Sequence, residues 1–396
     1  MTLQRRIYKI KGVVQHYSWG GYDFIPNLIG ENNSEQKPYA EYWLGAHPKG
    51  PAMLQQDHLP LNKFIEQHSA EILGKTIFEK YETLPFLVKV LDVRQMLSIQ
   101  VHPDKESAAK AFDEEESLEI PLNAYNRNYK DKNHKPEMMI ALTDFWLLHG
   151  FKTEEKLVAI LGSIPELSFL LNIFYDQGYE GLLQVVMTLP QKDVNNILAP
   201  LMHRIIPAYK TDKFEKSSEH FWAARAATAF CKNDNFDRGI LSIYLLNVVH
   251  LLPGEGIFQP AGMLHAYLEG QNLEVMANSD NVLRAGLTDK HIDTAELMKH
   301  VAFVATVPEV LQSKGDNHIF KTGADEFAVQ QLQVDTTYAY VSASAEILLV
   351  IDDAITVICG EESIDLKRGE AAFVLPQSKL VLQPNDNAEV FRVFTP

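Results

Sequence analysis

The sequence has few cysteines, no long apolar run and no basic cluster. Only Cys231 and Cys359 occur in 396 residues, which excludes a dense disulfide framework and predicts two free thiols in a reducing compartment. No stretch approaches the ~18 consecutive apolar residues that a membrane span needs. Basic residues near the start are not followed by an apolar segment, so we expect no signal peptide, no membrane partner and a cytoplasmic location.

The charge balance is acidic. Lysine and arginine number 36 against 52 acidic residues, a formal net charge of −16. A protein that binds nucleic acid needs a concentrated positive face, so we expect no nucleic-acid partner. A small anion can still bind where a few basic side chains converge against the overall field.

Four stretches differ in their hydrophobic pattern. Residues 1–150 and 236–310 contain short apolar runs rich in β-branched and aromatic residues, and we interpret them as two parts of one β-structured domain. Residues 151–235 have apolar residues at three- and four-residue spacing, which predicts an all-helical insertion. Residues 311–396 contain several short strands separated by turns, a pattern typical of a sandwich or jelly-roll barrel.

Three local patterns give more specific predictions. Ser163 and Glu166 have the spacing of a helix capping box, and so do Asp293 and Glu296. The run from 238 to 252, RGILSIYLLNVVHLL, is predicted to resume the strands after the helical insertion.

The string from Gly254 to His265 carries the first chemical signal. Gly254, Pro260, Gly262 and His265 have the spacing of the second sequence motif of the cupin superfamily, which this string resembles. In that motif, proline and glycine form a tight turn, and the histidine on the next strand points inward to a metal. The alternative is a hairpin followed by a chance histidine.

Two other strings supply possible partners for His265. Gln100 and His102 are two apart on a predicted strand, so their side chains project to the same face. Glu137 follows Pro136 and precedes the apolar run MMIAL, so it is predicted to begin a strand; the alternative is a solvated glutamate. Two imidazoles, a carboxylate and an amide oxygen form a set that suits Zn²⁺ or another divalent first-row ion.

Several strings together resemble the type I phosphomannose isomerases. They are LSIQVHPDK (97–105), HKPEMM (134–139), AGMLHAYLEG (261–270) and NSDNVLRAGLTDK (278–290), with YSWG (17–20) near the start. The resemblance implies a mainly β protein with a cupin (jelly-roll β-barrel) catalytic core, an all-α insertion and a second, smaller cupin lobe. It also implies one zinc ion held by Gln100, His102, Glu137 and His265. The implied substrate is a small sugar phosphate, interconverted between mannose 6-phosphate and fructose 6-phosphate, and we expect a monomer.

An aldose–ketose isomerase also needs a cationic anchor for the phosphate. Arg284 and Lys290 follow His265 in a polar segment, and a guanidinium matches phosphate geometry through paired hydrogen bonds. The resemblance gives Arg284 a catalytic role and makes Ser98 a phosphate-contacting hydroxyl. Tyr267 and Trp19 lie in the matched strings and are expected at the substrate site.

The sequence leaves the general base open among four residues of the matched strings: Glu274, Asp280, His134 and Lys135. Lys135 is two residues before Glu137 and points to the same side if the chain is extended there. Near the C-terminus, the segment from Gly369 to Pro376 is similar to the cupin turn, but no histidine follows it. We therefore expect no metal in the second lobe.

Two other functions fit part of the pattern. Two histidines and a glutamate around an open metal would also suit a cupin dioxygenase, although oxygen chemistry does not need the cations Arg284, Lys290 and Lys135. A non-catalytic sugar-phosphate-binding cupin would keep the anchors without turnover. An activity assay with the bound metal identified separates these alternatives.

Overall fold

The computed structural model describes residues 5–231, 235–312 and 317–396. The strands within these ranges are β1 Ile7–Lys11, β2 Val13–Gln15, β3 Glu41–Gly45, β4 Met53–Leu54, β5 Leu59–Pro60, β6 Phe86–Val93, β7 Ile99–Val101, β8 Glu137–Ala141, β9 Phe145–Phe151, β10 Leu246–Leu251, β11 Glu255–Gln259, β12 His265–Ala277, β13 Leu283–Gly286, β14 Leu311–Gln312, β15 Asn317–Phe320, β16 Ala328–Val334, β17 Tyr338–Val341, β18 Glu346–Asp352, β19 Ala354–Cys359, β20 Glu362–Lys367, β21 Ala371–Val374, β22 Lys379–Pro384 and β23 Ala388–Phe394. The helices are α1 Phe24–Ile29, α2 Leu61–Gln67, α3 Ser69–Leu73, α4 Lys75–Tyr81, α5 Lys105–Ser117, α6 Glu154–Ser163, α7 Phe169–Thr188, α8 Gln191–Tyr209, α9 Glu219–Phe230, α10 Gly239–Leu245 and α11 Thr294–His300.

The long strand β12 organises an 11-stranded sheet, called the large sheet below. Its 13 residues pair with β7 and β9 near the start of the strand and with β6 and β8 towards its end. All these pairings are antiparallel, so side chains that face each other across a pair lie on the same face of the sheet. One strand therefore aligns residues from four segments that are distant in sequence.

The two faces of the large sheet have different surroundings. One face carries the apolar residues Leu91, Met139 and Leu147 together with the polar residues described below. The opposite face packs against apolar side chains of an eight-stranded sheet, where Val88 and Phe391 belong to the same buried cluster. This burial joins the two β-structured bodies through a shared apolar core.

The eight-stranded sheet takes strands from both ends of the chain. Its order is β15-β16-β23-β18-β21-β1-β4-β5, and β1 pairs antiparallel with β21. Its outer face packs on a four-stranded sheet of order β17-β22-β19-β20. The body formed by residues after 311 is therefore completed by strands from the first 60 residues.

The region 154–230 is helical, with α6 to α9 packed around a buried core that also includes residues of β9 and β12. Trp222 of α9 is fully buried, its ring lies 5.9 Å from that of Trp146 on β9, and its Nε1 donates to the Lys216 carbonyl. Lys216 and Arg225 both form ion pairs with Glu269 of β12. The helices are thus attached to the large sheet through apolar and charged contacts.

Two local predictions are wrong and one is confirmed. Ser163 ends α6 and donates to the Ile160 carbonyl, so it does not cap a following helix. The first half of the predicted strand 238–252 is the helix α10, in which all seven residues are buried. The Asp293 carboxylate accepts from the Glu296 amide at 3.0 Å and caps α11 as expected.

Within the described residues, every helix is too short or too polar to cross a membrane. Cys231 and Cys359 are both free, as the cysteine count predicts.

Replacing Trp222 by alanine should lower the free energy of unfolding by about 3–5 kcal/mol, because it removes a large buried ring and leaves a cavity. Tyr175→Ala in α7 is a matched aromatic control, since Tyr175 is 62% exposed and should cost under about 0.5 kcal/mol. Urea unfolding followed by circular dichroism measures both. Equal losses would contradict the packing described for α9.

Candidate metal centre and active site

Three strands of the large sheet bring the expected ligands together. Gln100 lies on β7 with His102 just after it, Glu137 begins β8, and His265 begins β12. His265 faces Gln100 across the β7–β12 pair, and Glu137 faces Met276 across the β8–β12 pair. The register therefore directs these side chains to one face.

Their ligand atoms converge on one point. His102 Nε2 lies 3.4 Å from Glu137 Oε1, and His265 Nε2 lies 3.4 Å from Glu137 Oε2. The Gln100 side-chain nitrogen lies 3.3 Å from His265 Nε2. His102, Glu137 and His265 are all at most 1% exposed and form a group that could hold a metal ion.

Backbone carbonyls orient both imidazoles. His102 Nδ1 lies 2.8 Å from the Asn281 carbonyl, and His265 Nδ1 lies 2.9 Å from the Met263 carbonyl. A proton on each Nδ1 leaves the Nε2 lone pair directed at the shared point, which is the usual arrangement behind a metal-bound histidine.

The polar atoms of this group fit a divalent cation. His102 Nε2 and Glu137 Oε2 are buried without a hydrogen-bond partner among the described residues. Unpaired buried polar atoms are costly, and a cation satisfies them together. The Gln100 amide can present its oxygen by a simple flip, so two nitrogens and two oxygens form a set typical of zinc.

Lys135 sets the charge of Glu137. Its ammonium lies 2.6 Å from Glu137 Oε1, and both side chains are buried. Burial tends to raise the pKa of Glu137, but the positive charge of Lys135 outweighs it and holds that pKa well below its usual range. The ligand is therefore a carboxylate ready to bind a cation.

A second buried polar group lies beside the metal group on the same face. Lys89 Nζ lies 3.0 Å from Glu274 Oε1 and 3.7 Å from Glu41 Oε2. The Tyr267 hydroxyl donates to Glu274 at 2.9 Å and accepts from Gln259 at 3.2 Å. Burial tends to lower the pKa of Lys89, but the two carboxylates outweigh it and raise that pKa, so this lysine is a fixed cation.

Asp280 lies nearer the surface. Its Oδ2 is 2.7 Å from Lys49 Nζ and 3.6 Å from His47 Nε2, and its side chain is 31% exposed. Burial tends to raise the pKa of Asp280, but the hydrogen bond from Lys49 and the charge of His47 lower it overall. Asp280 is therefore ionised at neutral pH.

Arg284 is a cation next to the ligands, and Lys290 follows it in the chain. Arg284 faces Gln100 across the β7–β13 pair, so it lies on the ligand-bearing face. Burial lowers the pKa of Arg284. Lys290 lies after β13 and is exposed to solvent. Ser98 is half-buried in the loop before β7, two residues before Gln100.

The remaining predicted residues are more dispersed. Trp19 is half-buried and stacks on Tyr17, with ring centroids 5.9 Å apart. His134 is directed to the other β-structured body, where its Nε2 lies 2.8 Å from Glu326. The structure therefore groups Lys135, Glu274 and Asp280 around the ligands but directs His134 to a different partner.

Comparison with known proteins agrees with this geometry. The family model "Phosphomannose isomerase type I, catalytic domain" matches residues 7–154. The mannose-6-phosphate isomerase of Escherichia coli is 36% identical over 378 residues, covering 92% of this chain and 94% of that protein. The mannose-6-phosphate isomerase of Bos taurus is 32% identical over 413 residues, covering 93% of each. This chain belongs to the type I phosphomannose isomerase family.

Solved structures of this family have the same overall fold. The apo form of mannose 6-phosphate isomerase from Salmonella typhimurium superimposes with a TM-score of 0.87 at 32% identity, covering 99% of this chain and 100% of that one. A zinc-bound holo form of mannose 6-phosphate isomerase gives the same values. The prediction that this chain is an aldose–ketose isomerase of this family is confirmed.

Sequence reasoning missed Lys89, Glu41, Lys49 and His47. A signal for Lys89 was present, because a lysine in the middle of the apolar strand PFLVKVLDV (85–93) must be buried and therefore paired. Nothing in the strings around Lys49 and His47 distinguishes them from surface residues.

Substituting alanine for Glu137 or His265 should abolish bound metal, because each substitution removes one of the ligand atoms that converge on the proposed metal position. His250→Ala is the matched control, since His250 is on the outer part of β10 and pairs with Asp144 at 2.8 Å. Metal content per chain by mass spectrometry measures the effect. Stoichiometric metal in both ligand variants would overturn the assignment of this centre.

Proposed function

We propose that this chain is a zinc-dependent isomerase that interconverts D-mannose 6-phosphate and D-fructose 6-phosphate through an enediol. The observation that carries this proposal is the juxtaposition of the buried His102–Glu137–His265 group with Arg284, a cation on the same face of the large sheet. Zinc-bound relatives of the same fold support the choice of metal.

Gln100, His102, Glu137 and His265 would hold the zinc. When bound, zinc supplies a Lewis acid that polarises carbonyl and hydroxyl oxygens. Lys135 and Lys89 place two further positive charges at this face, where negative charge develops on the sugar oxygens.

Arg284 and Lys290 would bind the phosphate, with Ser98 as a hydroxyl donor. The Arg284 side chain makes no ion pair with the described residues, so its donors are available to a ligand. Tyr267 and Trp19 would line the sugar site, with the Tyr267 hydroxyl fixed between Gln259 and Glu274.

We propose Asp280 as the general base that moves the proton between C1 and C2. Asp280 is ionised, partly exposed and under the influence of the positive charge of Lys135. The other candidate carboxylates meet these three conditions less well. Glu274 has both oxygens engaged, by Lys89 and Tyr267, and His134 is bound to Glu326. Glu274 is better placed to hold Lys89 and Tyr267 than to accept a proton.

For the architecture, we propose a cupin catalytic domain from residues 1–150 and 236–310, a helical domain at 151–235 and a second cupin lobe at 311–396. The strands β1, β4 and β5 of the first segment complete the sheet of the second lobe. The interior of the second lobe is a cluster of apolar side chains with a buried Glu346–Arg392 ion pair at 2.8 Å, and this supports a second lobe without metal. We also propose a cytoplasmic location, with which the two free cysteines are consistent. We propose a monomer.

The first test concerns the anchor. Arg284→Lys should keep the charge but lose the paired donors, and should lower kcat/KM by about 10-fold or more while zinc content stays unchanged. Arg225→Lys is the control, since Arg225 pairs with Glu269 in the contact between helices and sheet. Steady-state kinetics and metal analysis together decide. Near-normal kinetics for Arg284→Ala would remove this residue from the active site.

The second test concerns the reaction. The purified, zinc-loaded protein should convert fructose 6-phosphate to mannose 6-phosphate without nucleotide, oxygen or redox cofactor. In D₂O, part of the product should carry deuterium at C1 or C2, because the migrating proton exchanges with solvent at the base. Unphosphorylated sugars should react far more slowly, since binding energy at the phosphate positions the reacting carbons.

Asp280→Asn is the matched variant for this experiment. It keeps the shape of the side chain and should slow turnover by about 10²–10⁴-fold. No turnover by a folded, zinc-bound parent protein would refute the isomerase and favour a binding module. Oxygen consumption would favour a dioxygenase.

A further inference from the structure

Two loops carry residues of the site, and one buried side chain connects them. Residues 130–136 carry Lys135 and lead into Glu137 at the start of β8. Residues 278–282 connect β12 to β13 and carry Asp280. Asn281 lies between the loops and is 1% exposed.

The Asn281 amide is saturated by backbone groups of the other loop. Its Oδ1 accepts from the Lys130 amide at 2.7 Å. Its Nδ2 donates to the carbonyls of Asp131 at 2.8 Å and Asn133 at 2.9 Å. Both ends of one planar side chain thus fix the path of the loop that leads to Lys135 and Glu137.

Asp131 makes the reciprocal connection. Its Oδ1 accepts from Ser279 Oγ at 2.9 Å, and its Oδ2 accepts from the Asp280 amide at 2.8 Å. The Asp131 carboxylate therefore holds the backbone of the loop that carries the proposed base.

Asn281 also contacts a proposed metal ligand through its backbone carbonyl. The Asn281 carbonyl lies 2.8 Å from His102 Nδ1, the contact that directs His102 Nε2 towards Glu137. A displacement of Asn281 would consequently rotate His102, shift the loop before Glu137 and move Asp280 together.

We propose that Asn281, clamped by Asp131 and Ser279, is a positioning residue that holds the metal ligand His102 and the proposed base Asp280 in one fixed geometry. This inference rests on the proposed function. The contacts of Asn281 and Asp131 reach His102 and the backbone of Asp280, whereas Arg284 is held by the pairing of β13 with β7. Loss of the Asn281 side chain should therefore lower zinc affinity and kcat and leave KM almost unchanged.

The test compares Asn281→Ala with Asn247→Ala. Asn247 is a matched control, since it is also buried and its Nδ2 donates only to backbone carbonyls, those of His149, Gly150, Phe151 and Thr306, at 3.0–3.2 Å. None of these carbonyls belongs to a proposed ligand or to the proposed base. Both variants should lower the melting temperature. Only Asn281→Ala should weaken zinc binding and lower kcat, each by about 10–100-fold, with KM within threefold of the parent.

Zinc affinity is measured by competition with a chelating dye, independently of turnover. An Asn281→Ala protein with zinc affinity and kcat within twofold of the parent would overturn the positioning role. If that variant does not fold, Ser279→Ala removes one member of the clamp and should give a smaller loss in the same direction; no loss would again overturn it. A parent protein that neither binds zinc nor isomerises would instead refute the proposed function.

Discussion

The buried carboxylate of Glu137 is the constraint on which the site depends. Removing an ion from water costs several kcal/mol unless other charges compensate. Lys135 supplies part of the compensation, with its ammonium 2.6 Å from Glu137 Oε1. The two imidazoles face the Glu137 carboxylate with Nε2 atoms that carry no proton, so they donate no hydrogen bond to it. A divalent cation completes the balance. The surrounding strands therefore have to hold their positions accurately, because an error leaves a charge unpaired.

Strand β12 provides this accuracy by pairing with four strands in sequence. Because the register of each pair is fixed by the alternation of apolar and polar faces, a slip by one residue would move His265 and Glu274 to the apolar face. The same alternation separates the polar site from the core shared with the eight-stranded sheet. Stability of that core and geometry of the site thus depend on one register.

The sequence predicted the strands and ligands where the physical signal is local. Gln100 and His102 share a face because of their spacing, and several strands after residue 327 are located because they are short apolar runs separated by turns. The helix α10 was mistaken for a strand because all of its residues are buried, so its pattern has no period. Lys89 and Asn281 each bind a partner more than 140 residues away, Glu274 and Asp131 respectively, which only the fold brings close.

The pairing of β1 with β21 has a consequence for synthesis. Ile7 cannot meet Val374 until some 367 further residues have been made. At a translation rate of about 5–20 residues per second, this strand waits on the order of 20–70 s on the ribosome. During that interval Ile7 and Ile10, which end fully buried, are exposed on a nascent chain. Chaperone contact early in synthesis would protect them, and closure of the eight-stranded sheet has to be a late event that follows the synthesis of Val374.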